Sequence, residues 1–291
     1  MKKRFFRKKD LRKIFKKREK SAHKYDFGYV IVVGGSSLYT GSPAFGALAA
    51  LRAGADLTLV VAPKRSADII AGFSPDLICY PLSCDDISLN EVPTILSLIE
   101  GAKRVSQGKV SLLIGGGLGR DKKTLLAVRE ILKKIDIPAV VDADALYAIE
   151  KEKEIIKEKK FILTPHLFEF FVISGKNLKN FPLEKKIEET KKFAQDFKTT
   201  ILLKGEIDII TDGKEVILNR TGCPEMTVGG TGDVLAGICA CFLAQKIPPL
   251  LAGAGAAFVN GKAGEKAAQK KGAGLLASDL IEEIPQVIKI L

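Results

Sequence analysis

The stretch Gly229-Gly230-Thr231-Gly232-Asp233-Val234-Leu235-Ala236-Gly237 holds the residues best placed to do chemistry. It sets one carboxylate, Asp233, directly behind a glycine-rich turn and at the start of an apolar helix. Glycine lets a backbone approach a phosphate closely, and the first amides of a helix lack an acceptor within it. The N–H groups of Thr231, Gly232 and Asp233 can therefore converge on an anion. An acid in that position opposes anion binding unless it serves as a base. Phosphoryl transfer is the economical chemistry, with amides holding phosphate charge and Asp233 deprotonating the attacking hydroxyl. The competing reading is an acid that merely complements the helix dipole.

The elements that must position Asp233 alternate along the chain. Strands are expected at Tyr29–Val33, Leu57–Val61, Ser111–Ile114, Ala139–Val141, Phe161–Leu163 and Thr200–Leu203, with helical stretches near 43–53, 91–104, 122–135, 145–151 and 183–197 between them. This alternation, with continuous β-branched runs, implies an α/β fold: a mostly parallel central sheet with helices on both faces. After Leu203 the rhythm changes. Ile207–Ile210 and Val216–Leu218 flank Asp212-Gly213, a hairpin signal, and three helices follow at 231–245, about 249–270 and 278–290. The helix from 249 is rich in Ala and Gly and is suited to close packing, including packing between subunits.

In open parallel sheets ligands bind beyond the carboxyl ends of the strands. Five such ends carry glycine or polar residues: Gly34–Ser37 with Thr40–Pro43, Gly115–Arg120, Asp142–Asp144, Thr164–His166 and Lys204–Gly205. The glycines at 115–119 have the spacing of a dinucleotide turn but lack a ribose-binding acid downstream, so a wall lying against a ligand fits better. Asp142 and Asp144 point to opposite faces if the strand continues, so one of them enters the site. His166 is either a ligand contact or a helix cap, and Lys204 either a phosphate contact or an exposed strand end.

The formal charge of +12 invites a nucleic-acid partner, yet residues 1–25 hold 13 Lys/Arg and 2 acids, leaving only +1 for the rest. Nucleic acid is therefore not an expected partner of the globular part. The basic tail has no apolar core of a targeting peptide, and its weak stripe of Leu11, Ile14 and Phe15 leaves three readings: a solvated arm, a docked helix, or an anchor to an anionic surface. The chain accordingly divides into an arm, 1–20, and one domain, 21–291. No run approaches 18 apolar residues, so no transmembrane segment is expected. Five cysteines without a CxxC pair suggest neither disulfides nor a metal site, and fit a reducing cytoplasm.

Taken in order, these motifs resemble the ADP/ATP-dependent NAD(P)H-hydrate dehydratase family, from about Ser21 to Leu291. The resemblance is carried by His23-Lys24, Gly34-Gly35-Ser36 with Tyr39-Thr40-Gly41, Gly117-Leu118-Gly119, Asp142 to Leu146, Thr164-Pro165-His166, Leu203-Lys204-Gly205, Gly229 to Gly237 and Gly274 to Leu280. It implies a ribokinase-like fold and a repair reaction. A hydroxyl on the damaged nicotinamide ring of the S epimer of hydrated NADH or NADPH (NADHX, NADPHX) is phosphorylated by ADP, or ATP in some members. Loss of phosphate then restores the double bond, releasing AMP when ADP is the donor. On that pattern Asp233 is the base, and Ser42, Gly117, Gly119, Asp142, His166 and Asp233 contact the hydrate. Lys204, Gly205, Glu206, Ile207 and Asp208, with Gly229, Gly230, Thr231 and Gly232, line the ADP/AMP site. Mg2+ accompanies the nucleotide without a dedicated protein cage, and a homo-oligomer, a tetramer, is expected. The epimerase domain often fused to the family is not expected here.

The sequence departs from the family pattern at Gly222–Val228, at Leu167-Phe168 where Pro-Gly is usual, and at Ser42 where alanine is usual. Two rivals remain. A kinase of a small alcohol, such as a vitamin precursor or sugar, would place its base identically, whereas a nucleotide-sensing or nucleic-acid-binding protein would use the basic arm. The roomy strand ends at Gly34 and Gly115 favour a large dinucleotide.

Overall fold

The short β-branched runs assemble into a single ten-stranded sheet. The computed structural model describes residues 3–15 and 18–289. Its strands are β1 (Lys3–Phe5), β2 (Tyr29–Val33), β3 (Leu57–Pro63), β4 (Ile78–Leu82), β5 (Val110–Ile114), β6 (Ala139–Val141), β7 (Phe161–Leu163), β8 (Thr200–Leu203), β9 (Asp208–Thr211) and β10 (Val216–Asn219). They lie in the order β1-β10-β9-β8-β7-β6-β5-β2-β3-β4. Only β9 runs against its neighbours. All the strand ends singled out above therefore emerge along one edge.

Among the described residues ten α-helices cover the sheet: α1 (Gly41–Arg52), α2 (Lys64–Ala71), α3 (Val92–Val105), α4 (Lys122–Lys134), α5 (Asp144–Ile149), α6 (Leu167–Ser174), α7 (Leu183–Phe197), α8 (Thr231–Ala244), α9 (Pro249–Lys271) and α10 (Ala277–Ile288). Successive strand side chains point to opposite faces. Val30, Val32, Val140, Ile162 and Leu202 accordingly join the core under α1, α2, α8, α9 and α10. Ile31, Val33, Val141, Leu163 and Leu203 join the core under α3 to α7. Burial on both faces explains why these strands read as unbroken apolar runs.

Several elements differ from the sequence expectation. β4 carries Pro81, and proline reads against a strand, yet β4 is the sheet edge where a missing N–H costs nothing. The eight-residue α2 is too short to stand out as a helical run, whereas α6 begins at the helix start expected at His166. The small residues of α9 are buried within the chain against α8, α10 and the hairpin strands, so they serve internal packing and not a subunit interface.

The basic tail folds onto the domain over residues 3–15. β1 pairs with β10, Phe6, Leu11 and Ile14 enter the core, and Arg18 beyond it bonds Asp56 at 2.8 Å. Ile14 lies over Gly255 of α9, where an added Cβ would come within 2.1 Å of its side chain. A solvated arm does not describe these residues.

Candidate active site

Asp233 owes its place to how tightly α8 lies on α1. A Cβ on Gly237 would stand 2.1 Å from the Gly46 carbonyl oxygen, so only glycine permits this approach. The helix begins after Gly230, whose φ of 95° is open mainly to glycine. Thr231 Oγ1 donates to the carbonyls of Met226 and Val228 at 3.0 and 3.2 Å, fixing the turn. The amides of Thr231, Gly232 and Asp233 have no intrahelical acceptor, and no other described group accepts from them. Beside Gly229 a Cβ would meet nothing, so the turn faces open space. These features leave three amide donors facing open space beside the Asp233 carboxylate, an arrangement able to receive an anion.

The Asp233 carboxylate accepts a hydrogen bond from Ser42 Oγ at the start of α1. Gly116, after β5, backs onto both groups: its Cβ would lie 2.3 Å from Ser42 Oγ and 2.8 Å from Asp233 Oδ1. Burial pushes the Asp233 carboxyl up to about 7, with the charge of Asp142 adding and the Ser42 and Lys204 partners opposing. A carboxylate so tuned is half ionised near neutrality, where a general base works best.

Lys204, at the end of β8, faces the same turn. Its ammonium lies 3.5 Å from the position a Gly232 Cβ would take, 3.0 Å from Asp142 Oδ1 and 3.8 Å from Glu169 Oε2. Burial alone would lower its pKa, but Asp142 and Glu169 raise it and keep it charged. Asp142 is buried and also accepts from Thr164 Oγ1 at 2.6 Å. Glu169 is buried, and burial pushes its carboxyl up despite Lys204. One cation thus stands among three acids.

Other predicted positions fall nearby in different roles. His166 caps α6, its Nδ1 accepting the N–H groups of Phe168 and Glu169 at 3.1 Å each, while about half of its side chain stays exposed. Gly117 packs on Tyr39, and the Gly119 N–H donates to Asp144 Oδ2 at 3.0 Å. Gly205 and Glu206 are exposed and Ile207 packs on the core. Asp208 closes its own loop, accepting from the Gly205 N–H at 3.0 Å and Asn219 Nδ2 at 2.9 Å; burial pushes its carboxyl up to about 6. With one bond on each carboxylate oxygen, it ties the 205–208 loop to the hairpin.

Glu169 and Asn219 were not singled out in the sequence. Glu169 was legible as the third residue after a capping His166, the capping-box spacing. Nothing local signals Asn219, whose role depends on the hairpin meeting the 205–208 loop.

Mg2+ prefers oxygen ligands and keeps several waters, commonly taking one or two carboxylates plus substrate phosphates. Among the described residues no group of three His, Cys, Asp or Glu could hold a metal. Asp142 and Glu169 already share Lys204, so the site suits an ion carried in on a nucleotide rather than one held by a protein cage.

A mostly parallel sheet with a buried carboxylate behind a helix-start glycine turn, opposed by a lysine, defines a ribokinase-like protein. The NAD(P)H-hydrate dehydratase family model matches residues 30–286, and the chain belongs to that family. The ADP-dependent (S)-NAD(P)H-hydrate dehydratase of Cenarchaeum symbiosum is 37% identical over 281 residues, covering 96% of this chain and 95% of its own. The bifunctional NAD(P)H-hydrate repair enzyme of Pyrobaculum aerophilum is 42% identical over 274 residues, covering 94% of this chain. The chain spans about half (52%) of that relative's length. The crystal structure of the ADP/ATP-dependent NAD(P)H-hydrate dehydratase of Bacillus subtilis, co-crystallised with ATP and Mg2+, superposes with a TM-score of 0.79. Identity is 25%, and 98% of each chain is covered.

Proposed function

We propose that this chain repairs hydrated nicotinamide dinucleotides, removing water from the S epimer of NADHX or NADPHX at the expense of ADP, or of ATP. The observation that carries this reading is Asp233: a carboxyl poised near 7 at the floor of an anion hole, held by Ser42 and faced by Lys204.

The ring hydroxyl sits on Asp233, which takes its proton as the oxygen attacks the terminal phosphorus of the nucleotide. The bond from that phosphorus to the bridging oxygen breaks, and AMP leaves when ADP is the donor. The amides of Thr231 to Asp233 and the Lys204 ammonium hold the charge on the transferring group; each such donor is worth about 10²–10³ in rate. A phosphate ester leaves carbon far more readily than hydroxide does. Its expulsion, with loss of a ring proton, restores the double bond and yields NAD(P)H and inorganic phosphate. Mg2+, bound to the phosphates, would neutralise part of their charge. Gly205 to Asp208 and Gly229 to Gly232 form the nucleotide walls, and Ser42, Gly117, Gly119, Asp142 and His166 the hydrate side.

The same reading includes work in the cytoplasm and assembly as a homo-oligomer, with an interface other than α9. No described helix is long and apolar enough to cross a membrane.

The test combines purified protein, the S epimer of hydrated NADH, Mg2+ and ADP, and follows the return of NADH absorbance, with ATP in a parallel arm. Recovery with release of AMP and phosphate supports the reading. No recovery with either nucleotide, while a small alcohol is phosphorylated, would make the protein a kinase instead.

A further inference from the structure

We infer that Arg120 grips the pyrophosphate of the hydrated dinucleotide, oriented for that task by Asp144 and Tyr147. The inference rests on the dehydratase reading and adds to it a cation on the hydrate side of the cleft.

Two contacts fix the guanidinium. Arg120 Nε donates to Asp144 Oδ1 at 2.8 Å, and the guanidinium carbon stands 3.9 Å above the centre of the Tyr147 ring. The second Asp144 oxygen accepts the neighbouring Gly119 N–H at 3.0 Å, so one carboxylate ties down both the loop backbone and the arginine. The Arg120 side chain nevertheless remains 56% exposed, and its terminal Nη groups have no hydrogen-bonded acceptor among the described residues. A surface Arg–Asp pair contributes only about 0–1 kcal/mol to stability. Folding therefore gives little reason for a clamp that holds one edge of the fork and leaves the other open. An oriented planar fork is suited to a phosphate, which it bonds through two N–H groups while losing little further freedom.

Position selects the phosphate. Gly116 backs onto Ser42 and Asp233, where the ring hydroxyl must sit. Arg120 follows four residues later, so their α-carbons are at most about 14 Å apart. The turn closed by the Leu118 N–H on the Gly115 carbonyl shortens that span. A ring anchored by its hydroxyl at Asp233 thus lays its ribose along Gly117 to Gly119 and presents its first phosphate at Arg120. The 2′-phosphate of the NADPH form lies a further nucleoside away. Arg120 also leans towards α5, across the sheet from α8, so the two substrates' anions meet different cations: Lys204 for the nucleotide and Arg120 for the dinucleotide.

The experiment compares wild-type protein with Arg120→Gln, Arg120→Lys and Asp144→Asn, using both hydrated dinucleotides as substrates and NADH as a binding probe. Arg120→Gln is expected to raise KM for hydrated NADH and hydrated NADPH alike, by about 10- to 100-fold, the loss of charged hydrogen bonds. The effect falls in KM rather than kcat, and KM for ADP does not move. Arg120→Lys recovers part of the loss, keeping charge without the fork, and Asp144→Asn shows a smaller loss of the same kind. Calorimetric affinity for NADH falls in step. A KM unchanged in Arg120→Gln overturns the assignment while leaving the dehydratase reading intact. A loss confined to hydrated NADPH moves the contact to the 2′-phosphate, and a rise in KM for ADP moves it to the nucleotide; either overturns the pyrophosphate contact. If wild-type protein fails to repair the hydrate yet loses NADH affinity on Arg120→Gln, the grip stands and the repair reading falls. A wild-type chain that neither repairs the hydrate nor binds NADH overturns both.

Discussion

Replacing Asp233 by Asn tests the catalytic reading through stability as well as rate. The folded carboxyl is raised from 3.8 to about 7, so its ionised form costs the fold about 4 kcal/mol. The sign follows from that direction. Stability contributed by a group with a raised folded pKa is complete below pH 3.8 and is lost as pH climbs through about 7. Asn does not titrate, and its side-chain oxygen can still accept from Ser42. The unfolding free energy of Asp233→Asn should therefore match wild type near pH 4 and exceed it by about 2–4 kcal/mol at pH 8. Over the same range kcat should fall about 10²–10⁴-fold, with ADP affinity kept. Denaturant titrations at three pH values, with kcat and calorimetric ADP binding, measure all of this. A stability difference independent of pH, or a variant as fast as wild type, would refute the reasoning.

Four further outcomes follow from the same geometry. Ser42→Ala removes a donor that holds the Asp233 carboxyl down, so the acid limb of the kcat profile should move to higher pH and the rate at pH 7 should drop by about 3- to 10-fold. Gly116→Ala places a Cβ 2.3 Å from Ser42 Oγ and should cost turnover more than stability, read as kcat beside the melting temperature. Lys204→Met leaves Asp142 and Glu169 without their shared cation; denaturant unfolding should show a loss of about 3–5 kcal/mol near neutral pH, together with weaker ADP binding. Leu11→Ala opens a cavity under the N-terminal segment, and should cost about 2–5 kcal/mol by denaturant unfolding while KM for ADP is unchanged.

Much of the scaffold was legible because local chemistry and final environment agree. Runs such as Val30–Val33 and Val140–Val141 are β-branched throughout and end in glycine or polar residues. That pattern holds only for strands covered on both faces and open at one edge. The elements that were not legible depend on partners distant in sequence. β1 is a charged tripeptide that becomes a strand only because β10 offers an unpaired edge, and β4 tolerates Pro81 only as the outermost strand. The stripe of Leu11 and Ile14 leaves a docked segment as one of three readings of the basic tail, and only the fold shows that both side chains are buried, with Ile14 over Gly255 of α9.

Within the site, the sequence by itself determined which chemistry was possible. A glycine turn, a helix start and one acid in succession set free amides beside a carboxylate, the arrangement the proposed base requires, since these properties belong to the backbone within a few residues. Tertiary structure decided who serves that base. The lifted pKa of Asp233 comes from burial beneath Gly116 and from the charge of Asp142, 91 positions earlier in the chain. It also sent Asp142 to Lys204 and Asp144 to Arg120, turned His166 into a helix cap, and spent Asp208 on its own loop. Solvation and electrostatics depend on everything within several ångströms, whatever its distance along the chain, and only the folded molecule sets those neighbours.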